Sequence, residues 1–171
     1  MVNEQRQRGH DIDATGRTVA SNLARIRKSK QLSLKDIETA TADRGRRLSF
    51  SGLSKIENGD RRVDVDDLMV LAQVLDVSPL TLMLPTGEPD DVVDVSGGKG
   101  SVGLLWEWAL TQESLAGDSE RNFQARSLPG WLYVQADYES KQPRIIELHY
   151  ADRPDGDLKH LSTHHLMGNR G

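Results

Sequence analysis

The chain has no cysteine, few aromatic residues and no long apolar run. The absence of cysteine excludes disulfides and thiolate metal sites. Aromatic residues are 5% of the 171 residues, so any core is modest in size. No stretch approaches the about 18 uninterrupted apolar residues of a membrane span, and the first residues, MVNEQRQRGHDID, lack the apolar run of a secretion signal. These absences predict a cytoplasmic protein with no membrane partner.

Charge is distributed unevenly along the chain. The net charge is −4, but residues 14–63 hold 12 Lys and Arg against 5 Asp and Glu. Residues 64–171 hold 8 Lys and Arg against 18 Asp and Glu. A basic block on an acidic chain indicates a polyanionic partner for that block. The alternative is a set of ordinary solvated helix faces.

Residues 16–84 have the pattern of five short helices. The first runs over about 16–29, where Val19, Leu23 and Ile26 form one apolar stripe. The later helices each begin at a residue type that caps helix N-termini: Ser33, Ser49, Asp64 and Ser78. In the third helix, Leu53 and Ile56 form the apolar stripe, which leaves a second face with no core to cover.

The pattern is weaker in the second half. VVDVS reads as a strand, GGKG as a turn, and VGLLWEWALTQESL as a helix with Leu104, Trp108 and Leu115 along one side. WLYVQADY and RIIELHYA alternate in polarity around ESKQP, which predicts a β-hairpin. From Asp155 onward we predict a short helix and a frayed tail.

No motif of catalytic chemistry is present. The sequence has no nucleophile elbow, phosphate loop or paired-carboxylate signature, and GGKG lacks the Walker spacing. His160 and His164 are four apart and could share a helix face, but HLSTH lacks the glutamate of a zinc protease motif and no third ligand is clear. We therefore predict no enzyme, no metal site and no cofactor.

Two short helices joined by a turn, the second presenting small, polar and basic residues, form the helix-turn-helix pattern. The stretches LARIRKSKQLSLKDI, LSKIENG and VDVDDLMVLAQVLDVSPLTLM resemble the Cro and lambda-repressor-type (XRE-like) DNA-binding domain. The resemblance implies a mainly α fold, with a five-helix DNA-binding domain and a smaller α+β C-terminal region. The expected organisation is a disordered arm at 1–13, the helix-turn-helix domain at 14–84, a linker at 85–90 and the C-terminal region at 91–171.

The resemblance also assigns base-reading residues to the third helix: Phe50, Ser51, Gly52 and Lys55. Lys55 would donate to guanine O6 and N7, Phe50 would pack on a thymine methyl, and Gly52 would let the DNA come close. Phe50 could instead be a partly buried anchor for the turn, and Lys55 a solvated lysine.

Phosphate contacts are implied for a second set: Ser33, Ser49, Arg44, Arg46, Arg47, Arg61 and Arg62. Arg27 and Glu57 match a buried ion pair between the first helix and the recognition helix. The turn TADRGRR departs from the family pattern because it is longer and richer in arginine, as in a subset of actinobacterial and phage regulators. Its arginines could instead form a mobile loop, and Arg61 and Arg62 could be plain surface charge.

The predicted function is a sequence-specific, double-stranded DNA-binding transcriptional regulator, a repressor that occludes its operator and is associated with the nucleoid. A phage immunity repressor falls within that class. The C-terminal region could form a homodimer, contact a second DNA element, or bind a protein partner or ligand. One rival is an antitoxin or adaptor whose C-terminal half binds a protein. Another is a ligand-sensing regulator with an apolar pocket around Trp106, Trp108 and Trp131.

Overall fold

The structure is a computed structural model that describes residues 12–130 and, as backbone, residues 132–136 and 146–150. The chain forms two compact units, the first ending at Gly103 and the second beginning at Leu104. Residues 1–11 of the arm predicted at 1–13, the predicted tail helix with its two histidines, and Trp131 lie outside the described residues.

The first unit contains the five predicted helices: α1 (Ala14–Ser29), α2 (Leu34–Asp43), α3 (Phe50–Glu57), α4 (Val65–Leu75) and α5 (Pro79–Met83). The four predicted caps each accept a hydrogen bond from a backbone N–H of the helix that follows. The first helix begins two residues earlier than predicted, because Asp13 Oδ1 accepts from the Ala14 N–H at 2.7 Å. Local capping chemistry therefore sets the start of each of these five helices.

The core of the first unit draws on all five helices and on the turn before α3: Leu23, Ile26, Ile37, Leu48, Leu53, Ile56, Val70, Leu71, Ala72, Leu75 and Leu82. Leu53 and Ile56 of α3 are fully buried. Burying a side chain of this size stabilises the fold by about 1.5–3 kcal/mol. These two contacts decide which face of α3 turns inward and which remains at the surface.

Thr41 organises the turn between α2 and α3. Its side chain is fully buried, and its Oγ1 donates to the Glu38 carbonyl at 3.0 Å and accepts from the Leu48 N–H at 3.2 Å. Gly45 supplies a φ of +79°, which glycine adopts at little cost, within the same turn. The turn is therefore built around a satisfied buried hydroxyl.

A hairpin follows α5 in the first unit. Strands β1 (Val92–Val95) and β2 (Gly98–Ser101) pair antiparallel. The strand predicted at VVDVS is confirmed, but most of GGKG belongs to β2 rather than to a turn. Gly97, with a φ of +98°, completes the reversal, so pairing resumes at the next residue. The Ser96 N–H at the tip donates to Thr15 Oγ1 at 3.1 Å, which joins the hairpin to α1.

Helix α6 (Val102–Ala109) begins at the end of the first unit, and the second unit adds α7 (Glu120–Ser127), β3 (Leu132–Ala136) and β4 (Ile146–Tyr150). The last two strands pair antiparallel, as their alternation predicted. The predicted helix over 102–115 is too long, since Thr111 takes a left-handed φ of +63°. Trp108 and Leu115 are exposed, so the predicted apolar stripe is wrong, and Leu105 is buried instead. The mainly α fold with a smaller α+β region is confirmed.

Candidate nucleic-acid interface

The outer face of α3 carries exposed side chains opposite the buried Leu53 and Ile56. Phe50 is 53% exposed at the first position of the helix, and Ser51 and Lys55 are also exposed. The Lys55 ammonium makes no ion pair with any described residue. Phe50 therefore reaches the surface, with about half of its area exposed. This face offers an aromatic ring, a hydroxyl and a cation together.

Gly52 lies on the same helix but is buried. A Cβ at this position would stand 2.8 Å from Nη1 of Arg61 and 3.1 Å from the Ser49 Oγ. The missing side chain thus leaves room for a guanidinium of the protein itself. The Arg61 side chain therefore lies beside Gly52, the position at which the sequence predicts a close approach of DNA.

Arg46 and Arg61, two of the predicted phosphate contacts, share one carboxylate. Asp67 is 3% exposed; its Oδ1 accepts from Nε of Arg46 at 2.7 Å, and its Oδ2 accepts from Nη2 of Arg61 at 2.9 Å. Asp64 lies beside them, and both of its oxygens accept from Nη2 of Arg46 at 2.9 Å. The hydrogen bond to Asp67 raises the pKa of Arg46. Both arginines are thus joined to the first turn of α4.

Arg47 is joined to α2 in a similar way. The Glu38 side chain is 6% exposed, and its oxygens accept from Lys35 Nζ at 2.8 Å and from Nη2 of Arg47 at 2.6 Å. These two cations hold the pKa of Glu38 at about 2, below the ordinary 4.5. Arg47 therefore has a fixed partner, rather than belonging to a loop without contacts.

The remaining predicted phosphate contacts are at the surface. Arg44 is exposed, donates to the Ala40 carbonyl at 3.1 Å, and makes no ion pair with a described residue. Arg62 and Ser49 are exposed as well. Ser33 shares a capping box with Asp36, whose carboxylate accepts from the Ser33 N–H at 2.7 Å and has its pKa lowered by the Ser33 hydroxyl. The N-terminus of α2 therefore already holds one carboxylate.

The ion pair between Arg27 and Glu57 is present. Arg27 Nε lies 2.6 Å from Oε1 and Nη2 lies 2.8 Å from Oε2 of Glu57, so the pair is bidentate. The two side chains are 13% and 10% exposed, and Glu57 raises the pKa of Arg27. The third donor, Nη1 of Arg27, reaches the Leu32 carbonyl at 2.7 Å. This pair fixes the C-terminal end of α3 to α1.

Sequence reasoning missed Asp67 and Glu38, the two buried acids of this region. A signal for both was present, because each occupies a core position of its helix. Asp67 precedes the buried Val70 and Leu71 by three and four residues, and Glu38 precedes the buried Thr41 by three. Acids at such positions need cationic partners, and the neighbouring segments are rich in arginine.

The described residues contain neither a metal-binding cluster nor a helix that could span a membrane. Among them, no three His, Asp or Glu side chains come together as a metal site would require. None of their helices has both the length and the apolar character needed to cross a membrane.

Residues 23–82 match the helix-turn-helix family HTH_3. The chain is also 39% identical over 70 residues to an uncharacterized HTH-type transcriptional regulator, y4dJ, of Sinorhizobium fredii. The aligned stretch covers 41% of this chain and 84% of that relative. The chain therefore belongs to the helix-turn-helix family and is a DNA-binding transcriptional regulator. The resemblance seen in the sequence is confirmed.

Proposed function

We propose that this regulator is a sequence-specific repressor of transcription that docks α3 in the major groove of its operator and so occludes a promoter. The observation that carries the proposal is the two-sided character of α3. Its inner face is fully buried through Leu53 and Ile56, while Phe50, Ser51 and Lys55 stand exposed on the outer face. A helix fixed in this way can present side chains to base edges at little entropic cost.

The chemistry of the three exposed side chains suits base edges. The Lys55 ammonium, with no acid paired to it among the described residues, can donate to guanine O6 and N7. The Phe50 ring can contact a thymine methyl, and the Ser51 hydroxyl can donate or accept. Together they distinguish base pairs through the major groove, where each pair displays its own donors and acceptors.

The phosphate contacts fall into two groups in this proposal. Arg44, Arg62, Ser33 and Ser49 are exposed and would meet the DNA backbone directly. Arg46, Arg47 and Arg61 are 38%, 67% and 42% exposed, so further N–H donors remain for phosphate. Their charge is already compensated by acids of the protein, so they would position the DNA backbone more than they would attract it.

Selection of bound sites from random duplex DNA with the full chain tests base reading. On the selected operator, Lys55→Ala should cost about 1–3 kcal/mol at one base-pair position and relax specificity there. The control is Lys99→Ala, since Lys99 is an exposed lysine on β2. If no sequence is enriched, or if Lys55→Ala discriminates mismatches like wild type, the base-reading role fails.

In vitro transcription tests repression separately from binding. A promoter that contains the selected operator should lose transcripts as the protein is added, because protein and polymerase compete for the same DNA. A rise in transcripts would show activation, and unchanged transcripts would show binding without steric competition.

A further inference from the structure

We propose that Asp67 is a positioning residue for DNA reading, whose single carboxylate holds both ends of α3 in the orientation that its exposed face requires. The inference rests on the proposed base-reading role of α3. Asp67 itself lies on α4 and is 3% exposed, so it touches no base or phosphate.

Asp67 is itself firmly placed. Its backbone N–H donates to Oδ1 of the cap Asp64 at 2.7 Å, which fixes the first turn of α4. Each carboxylate oxygen of Asp67 then serves one arginine, Oδ1 for Arg46 at 2.7 Å and Oδ2 for Arg61 at 2.9 Å. Hydrogen bonds to a buried carboxylate are short and directional, so they define position as well as supply energy.

The two arginines approach from opposite ends of the recognition helix. Arg46 stands four residues before the start of α3, and Arg61 stands four residues after its end. One side chain on a neighbouring helix therefore holds both connecting segments of an eight-residue helix. We call this arrangement of Asp67, Arg46 and Arg61 the clamp.

Arg61 links the clamp to the proposed base reader. Its backbone N–H donates to the Lys55 carbonyl at 3.2 Å, and the Asp60 N–H donates to the same carbonyl at 2.8 Å. Its Nη1 lies against the first turn of α3, 2.8 Å from the position that a Cβ of residue 52 would take. A shift of Arg61 would therefore displace Lys55 and the start of the helix.

Apolar packing alone does not define the orientation of α3 in the same way. Leu53 and Ile56 hold the helix against the core, but such contacts are non-directional and tolerate rotation. Arg27 and Glu57 fix only the C-terminal end of the helix. The clamp adds directional contacts at the other end. Its loss should therefore change the angle of the exposed face while α3 remains helical.

The test compares Asp67→Asn with Asp66→Asn in the full chain. Asp66 is the neighbouring residue, is 78% exposed, and comes within 3.5 Å of Arg46. Both variants lose one negative charge, so they have the same net charge. Binding is measured on the selected operator and on a panel of single mismatches. All measurements use one salt concentration and a temperature well below the melting temperature, and the active fraction of each protein is determined by titration. Asp67→Asn should lower the operator-to-mismatch ratio about fivefold or more, while Asp66→Asn should keep it within about twofold.

A second variant, Arg61→Gln, keeps the experiment decisive if Asp67→Asn does not fold. It should lower discrimination at the same operator positions, and combining it with Asp67→Asn should add little, because the two residues act as one unit. Uniform weakening on all sequences by Arg61→Gln, with the operator-to-mismatch ratio unchanged, would leave Arg61 a phosphate contact alone and overturn the clamp. Unchanged discrimination by folded Asp67→Asn would also overturn it. A wild-type chain without duplex affinity would overturn the proposed function and this inference with it, whereas the variant results concern the clamp alone.

Discussion

The arginine side chains around α3 have different partners, and the partner decides what each removal costs. Arg44 is exposed, and among the described residues its side chain bonds only to a backbone carbonyl, so its loss costs little in folding. Arg27 is 13% exposed and bound to Glu57 through two bonds, so its loss leaves a largely buried carboxylate without a partner. Two arginines of one basic block thus differ in role: Arg44 is available for binding, whereas Arg27 contributes to stability.

Glu57→Ala should therefore damage folding more than contact with DNA. The loss should be about 3 kcal/mol, at the lower end for a broken buried pair, because Arg27 retains the Leu32 carbonyl. The double variant Arg27→Met with Glu57→Leu should recover much of that loss by replacing the pair with apolar groups. Thermal unfolding of the three proteins decides the matter, and a Glu57→Ala protein that melts like wild type would contradict it.

Gly52→Ala probes the space beneath Arg61. Alanine favours a helix over glycine by up to about 1 kcal/mol, but its Cβ would stand 2.8 Å from Nη1 of Arg61. We expect the substitution to be more favourable in an Arg61→Ala background than in wild type. Urea unfolding of the four proteins of this cycle measures the difference. Equal effects in the two backgrounds would show that Arg61 moves aside without cost.

At the scale of elements, the turn from α2 to α3 depends on one hydroxyl. Thr41→Val keeps the shape and β-branching but leaves the buried Leu48 N–H without its acceptor. Such an orphaned donor costs about 1–3 kcal/mol. Thr39→Val is the matched control, since Thr39 Oγ1 also bonds a carbonyl of its own helix but is exposed. Denaturant unfolding should separate the two variants, and equal midpoints would contradict the role of Thr41.

The attachment of Arg47 to α2 should respond to acid. The pKa of Glu38 is lowered from 4.5 to about 2 in the folded protein, so its carboxylate stabilises the fold fully above pH 4.5. That contribution is lost as the pH falls through about 4.5 to 2. Glu38→Gln should be less stable than wild type at neutral pH, and the gap should narrow across this window. Melting curves at several pH values test it, with the exposed Glu113→Gln as control; a gap that stays constant with pH would contradict it.

The elements that could be predicted are those set by nearby residues. The caps Ser33, Ser49 and Asp64 act on N–H groups within three residues, so their helices are visible in the sequence. The end of α6 was not visible, because Thr111 takes a left-handed conformation that no glycine or proline signals there. A β-branched residue in that region is unusual, so local preference pointed to a longer helix.

The candidate site shows the same division between near and distant contacts. The exposed face of α3 follows from the spacing of Leu53 and Ile56, and the structure leaves Phe50 and Lys55 at the surface as that spacing implies. The partner of Arg61 could not be predicted, because its link to Asp67 depends on how the segment after α3 lies against α4. The guanidinium beside Gly52 could not be predicted for the same reason, since tertiary structure brings it there.

At the scale of the whole molecule, the basic block is weaker than its composition indicates. Within residues 14–63, at least five of the cations form ion pairs, all with described residues: Arg27, Lys35, Arg46, Arg47 and Arg61. Cations that are already paired within the protein displace fewer counterions from DNA. The attraction to a duplex should therefore be smaller than twelve uncompensated cations would give.

A fragment of residues 12–103 should fold and bind the selected operator with an affinity that falls as salt rises. The slope of log affinity against log salt should be about −0.9 for each phosphate neutralised, and smaller than twelve cations would give. A fragment of residues 12–88 should melt lower, because it lacks the hydrogen bond from Ser96 to Thr15. No duplex affinity of the longer fragment at low salt would contradict the prediction.

The separation of the two faces of α3 has a consequence for how such a regulator can change its target. Phe50, Ser51 and Lys55 contribute nothing to the core, so they can be exchanged without loss of the fold. A library randomised at these three positions should remain folded in most of its members while its preferred operators diverge. New regulatory connections could then evolve by substitution at a few surface positions, on an unchanged scaffold.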